Sequence, residues 1–170
     1  MSPAAAPIQT LSGKTVLFRA DLSDGVTDEI ARPIAAFARA GARVAVVSGF
    51  GDPAGDINPA LSLRRFAEPL EQATGVRTTF VSDSVGAVAE AGLDRVPFGE
   101  VALLENVRFH PEAHRFSRNF AVRLSVLGDF FAIGGSLPPV PAGWIRELAA
   151  ILPAPTLAQS DPNTTSNKDR

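Results

Sequence analysis

The chain has 170 residues, 45% of them apolar and 20% charged, with a formal net charge of −2 and a pI near 5.7. That size and balance suit one globular domain with its own core, and the near-neutral charge excludes the basic footprint of a nucleic-acid binder. There is no cysteine, which removes disulfides and thiolate chemistry, no apolar run long enough for a membrane span and no basic-then-apolar leader in Met1–Thr10, so a cytoplasmic protein is expected.

Thr15–Ala20 reads as a first strand, running into Asp21. Thr27 with Asp28 and Glu29 marks a helix start, since a hydroxyl caps free N–H groups and acids suit the positive end of the helix dipole. Ile30, Ile34, Phe37 and Ala38 then recur at helical spacing up to Gly41. Pro33 fits only a first turn, which predicts a regular helix beginning later than Asp28. Val44–Val47 is a second, β-branched strand, broken by the glycine-rich loop Ser48–Gly55. Ser62 opens a helix with Leu63, Phe66, Ala67 and Leu70 inward, kinked at Pro69 and closed by Gly75.

Thr78–Val81 is a third strand and Ser84–Ala91 a short helix. Val101–Leu104 is an uninterrupted apolar run, the mark of a strand buried on both faces. It changes abruptly to Glu105, Asn106, Arg108, His110 and Glu112, at the strand end where open α/β sheets bind ligands. Ser117 caps a helix carrying Phe120, Leu124 and Leu127, and Phe130–Ile133 is the fifth strand. A proline-rich loop precedes a last amphipathic helix, Gly143–Leu152, with Trp144, Ile145, Leu148 and Ile151 on one stripe. Strands alternating with helices predict a parallel sheet with right-handed crossovers. Residues 1–12 read as an extension, 13–152 as the domain and 153–170 as a disordered polar tail.

The run Leu103-Leu-Glu-Asn-Val-Arg-Phe-His-Pro-Glu112 closely resembles the LLEN-x-RFHPE signature of the amino-terminal domain of phosphoglycerate kinase. Further landmarks agree: Gly13–Asp21 resembles the family's GK-x-V-x-x-R-x-D opening, and Ser48–Pro53 occupies the place of its SHLGRP loop. Leu61–Leu63, Val81–Gly86 and Leu127–Asp129 are similar to its YSL, DCVG and LGD motifs. The resemblance implies a three-layer α/β/α, Rossmann-like domain with a mainly parallel sheet. It also implies a basic patch for 3-phosphoglycerate, facing a second domain that binds ATP. The sequence given holds no counterpart of the family's nucleotide-binding loops, so neither a cofactor nor independent catalysis is expected, and no catalytic residue is assigned.

In the same comparison Asp21 and Arg108 stand at substrate-binding positions, with Ser23 in place of an asparagine. In the old cleft Ser48 remains, the family's histidine is Gly49 and its arginine is Asp52. The family's arginine before the first helix and the one in its NDAFG-x-AHRAH segment, replaced here by Ile133–Pro139, are missing too. A charge-assisted hydrogen bond contributes roughly 1.5–3 kcal/mol, so losing three cations removes on the order of 5–9 kcal/mol. A micromolar ligand has only about 8 kcal/mol in total. Tight 3-phosphoglycerate binding is therefore not expected. Three readings remain: a non-enzymatic binding or regulatory module, the substrate half of a split kinase, or a different small-anion site around Asp21, Arg108 and Ser48. His110, Glu112 and His114 read as surface residues rather than metal ligands, and Gly49, Gly51 and Gly55 as a plain turn rather than a phosphate cradle. Trp144, Ile145 and Leu148 either complete the core or leave a face for a homodimer or a protein partner. The expectation favours the dimer.

Overall fold

The computed structural model describes residues 10–157. Its five strands are β1 (Thr15–Arg19), β2 (Arg43–Val47), β3 (Thr78–Val81), β4 (Val101–Leu104) and β5 (Phe130–Ile133), all parallel in the order β3-β4-β2-β1-β5. Helices α1 (Asp28–Arg39), α2 (Ala67–Thr74), α3 (Ala87–Asp94), α4 (Glu112–Arg115), α5 (Ser117–Ser125) and α6 (Gly143–Ile151) cover both faces. The three-layer α/β/α reading is therefore correct. Period-two alternation divides each central strand between two cores. Val16 and Phe18, Val44 and Val46, and Val101 and Leu103 face Ile30, Ile34, Leu63 and Leu70. Leu17, Ala45 and Val47, and Ala102 and Leu104 face Phe120, Leu124, Trp144 and Leu148.

The strand order fixes where a ligand site can form. From β1 to β2 to β3 the chain moves one way along the sheet, and from β3 to β4 to β5 it moves back. Right-handed crossovers then place α1 and α2 on one face and α3 and α5 on the other. The direction reverses between the neighbouring strands β2 and β4, so a crevice opens beyond their carboxyl ends, at Ser48 and Glu105.

Several elements differ from the sequence expectations for local reasons. α1 starts at Asp28 and runs through Pro33, whose missing N–H leaves the Glu29 carbonyl without its helical donor. Leu63–Phe66 is a 3-10 turn capped by the Ser62 hydroxyl. Pro69 sits in the first turn of the α2 that follows, where an N–H has no partner to lose, so it kinks nothing. α3 begins at Ala87 rather than Ser84 because Gly86 adopts φ 83°, a left-handed conformation that breaks the helix. At the ends, Leu11 is buried in the α1 face of the core. Pro153, assigned to the tail, instead lies along β5, its carbonyl accepting the Phe131 N–H at 3.0 Å. The rest of the expected extension and tail, residues 1–9 and 158–170, falls outside the described residues.

The expectation for α6 changes most. Trp144, Ile145 and Leu148 are buried, packed beneath α5 and β5 with the Trp144 ring edge-on to Phe120 at 6.4 Å. These three complete the core and are not available to a second copy or a partner, whereas Ile151, the fourth residue of the stripe, is exposed. Phe130 and Phe131 are likewise core, one on each face of the sheet. No helix among the described residues is long and apolar enough to cross a membrane.

Candidate functional site

The crevice between β2 and β4 is built around Asn106, which is 1% exposed. Its Oδ1 accepts the Phe50 N–H at 3.1 Å and the Arg108 N–H at 3.0 Å. Its Nδ2 donates to the Phe50 carbonyl at 2.7 Å and the Leu61 carbonyl at 3.0 Å. Every donor and acceptor of the amide is used. Glu105 beside it accepts the Ser62 hydroxyl at 2.7 Å and the backbone N–H groups of Leu63 and Asn106, both at 2.9 Å. These two side chains tie the loop from Ser48 to Leu63 to the end of β4.

On the β1 side of the crevice stand Arg19, Asp21 and, from the 3-10 turn Val107–Phe109, Arg108. Arg108 lies across the loop: its Nη1 donates to the Gly51 carbonyl at 2.6 Å. Glycine at position 49 permits this, because a β-carbon there would stand 2.9 Å from Arg108 Nε and 3.3 Å from Cγ. Asp21 is held below the usual carboxylate range by the Ser23 hydroxyl and the Ser23 N–H, the latter donating to Oδ1 at 3.0 Å, with Arg19 and Arg108 adding smaller attractions. Burial lowers the pKa of Arg19, opposed by Asp21, and Arg108 pushes in the same direction as burial. Arg19 also donates to the Ser136 carbonyl at 3.4 Å.

The structure thus brings Asp21, Ser23, Arg108, Ser48 and Gly49 to one end of the sheet. Ser48 is fully buried, its carbonyl accepting the Val107 N–H at 3.1 Å and its hydroxyl without a partner among the described residues. Asp52 lies on the exposed outer part of the loop, its Oδ1 accepting the Ala54 N–H at 3.3 Å. Arg19 was missed on sequence grounds. Its signal was present in a charged residue ending an otherwise apolar strand, two positions before Asp21. The structural part of the signature, Glu105 and Asn106, was not legible either, because the loop groups they bind at Phe50, Leu61, Ser62 and Leu63 lie more than 40 residues earlier in the chain.

The histidines go separate ways. His110 Nε2 meets Asp83 Oδ1 at 2.7 Å, and Glu112 accepts from Arg123 at 2.7 Å. Among the described residues no group of His, Cys, Asp and Glu is placed to hold a metal ion.

A sequence model of the phosphoglycerate kinase family matches residues 8–134. Phosphoglycerate kinase of Rhodospirillum centenum is 36% identical over 132 residues, covering 72% of this chain and 33% of the relative. That of Clavibacter michiganensis is 35% identical over 159 residues, covering 85% and 39%. The crystal structure of phosphoglycerate kinase from Pyrococcus horikoshii superposes with a TM-score of 0.70 at 20% identity, over 86% of this chain and 40% of that one. The structure of the Coxiella burnetii enzyme gives 0.56 at 25% identity, over 74% and 33%. The chain spans little more than a third of the length of these curated relatives, matching their amino-terminal portion. By this match and by its sheet, the chain belongs to the phosphoglycerate kinase family.

Proposed function

We propose that the chain is a non-catalytic binding module of this family, whose crevice at the ends of β1, β2 and β4 takes a small carboxylate-bearing anion weakly. The observation that carries the reading is that both guanidinium groups of the crevice are already engaged. Arg108 is bonded to Gly51, while Arg19 is bonded to Ser136 and neighbours Asp21. Two arginines with free valences left could supply roughly 3–6 kcal/mol between them, against about 4 kcal/mol for a millimolar ligand. Ordering the side chains and desolvating the ion reduce that sum. Phosphoryl transfer needs the charge around the phosphates neutralised, and Asp52 contributes the opposite sign at this rim.

Position 52 is where a substitution is expected to return phosphate affinity. Asp52→Arg should tighten inorganic phosphate roughly fivefold, the effect of about 1 kcal/mol from reversing an exposed charge. Gly49→His should gain less, because a β-carbon at 49 crowds the Arg108 side chain that bonds Gly51. Amide chemical-shift titrations with phosphate read both variants. A gain from Gly49→His as large as that from Asp52→Arg would contradict the arrangement.

A second reading, the substrate half of a kinase completed elsewhere, is favoured by one observation: Arg19, Asp21 and Arg108 still converge at the strand ends. The two readings part on the affinity for 3-phosphoglycerate.

A further inference from the structure

A cavity of about 370 Å³ opens beside Arg108, between the Gly51–Asp52 turn, α4 at Ala113 and His114, and Trp144 at the start of α6. Its volume is that of a small-ligand site. Charges of opposite sign line it, Arg108 and Asp52, yet they form no ion pair with each other. Each is held by its own backbone partner instead, Arg108 by the Gly51 carbonyl and Asp52 by the Ala54 N–H. Arg108 Nε and Nη2, and Asp52 Oδ2, have no hydrogen-bond partner among the described residues.

Such a cavity discriminates by charge pattern. A simple anion gains from Arg108 and is repelled by Asp52, and a simple cation meets the reverse. A molecule with both signs a few ångströms apart gains from both. The edges of Trp144 and Ala113 leave an apolar wall for a short side chain. From this arrangement we propose that the cavity binds a small zwitterion, an ammonium and a carboxylate on one short carbon chain, and that Asp52 selects it over a hydroxy-acid of the same shape. The inference rests on the small-anion reading of the crevice and adds the ammonium to it.

L-serine and L-glycerate test it, because they differ only in carrying an ammonium or a hydroxyl at the second carbon, and ethanolamine supplies the ammonium without the carboxylate. Titrations of the full chain are followed at the Gly51 and Asp52 amides and at Arg108 Nε–H. Serine should half-saturate these signals at a concentration about fivefold below glycerate or ethanolamine, the effect of about 1 kcal/mol from an exposed charge. Asp52→Asn, an exposed change that leaves the core untouched, should bring serine and glycerate within about twofold of each other. Glycerate binding as tightly as serine would overturn the zwitterion while leaving the anion reading in place. An unchanged serine preference in Asp52→Asn would overturn the role of Asp52. Silence of all these signals with every probe would remove the small-anion reading itself, and this inference with it.

Discussion

Replacing Asn106 with alanine should lower the unfolding free energy by about 3–5 kcal/mol, among the larger effects a single substitution produces. The side chain makes four hydrogen bonds while 1% exposed. Its removal leaves the N–H and carbonyl of Phe50, the carbonyl of Leu61 and the N–H of Arg108 without their partner. A buried polar group stripped of its partner costs about 1–3 kcal/mol. Asn106→Asp nearly keeps the shape but turns two donors into an acceptor facing two carbonyls, so it should be no milder. Urea denaturation measures both, with the midpoint falling and the slope unchanged if only the native state is affected. A loss below about 1 kcal/mol in Asn106→Ala would mean that water replaces the amide and that the loop is held by other contacts.

Trp144→Ala is expected to cost a comparable amount, about 3–5 kcal/mol, through the cavity left between α5 and α6. Trp144 packs against Phe120 and shares a core with Ile145, Leu148 and Leu124. Because the ring faces inward, the substitution should leave the mass of the folded chain in solution unchanged, whatever that mass is. Denaturation and light scattering on the same sample decide the matter. A change in oligomeric state with little loss of stability would place Trp144 at an interface instead of in the core.

The contrast between these two residues explains what the sequence could and could not disclose. Val101–Leu104 was legible as a strand because burial on both faces demands an unbroken apolar run. The reversal of sheet direction then makes the residues just after it a ligand-facing edge. Asp21, Ser23, Ser48, Gly49 and Arg108 were named only through the resemblance to the family's substrate-binding positions, and the structure sets each of them beyond a strand end. Asn106 stood in plain view within the signature, but its job is set by carbonyls at positions 50 and 61, and no local spacing encodes that. The amphipathic stripe of α6 disclosed that one face is covered, not by what. Here α5 and β5 lie close enough to cover Trp144, Ile145 and Leu148, which takes these three out of the expected docking face. The α3 boundary failed at Gly86, where the backbone conformation outweighed the helix propensity of the residues around it.

Arg19 changes the electrostatic picture more than any other residue overlooked in the sequence. With Arg108 it gives the crevice two guanidinium groups near Asp21, which in the proposed function attract a small anion but, beside Asp52, do not hold a phosphorylated one firmly. Calorimetric titration of the purified chain with 3-phosphoglycerate tests that balance most directly. Binding no tighter than millimolar is expected. Saturable binding in the micromolar range would contradict it and make the crevice a working substrate half of a kinase.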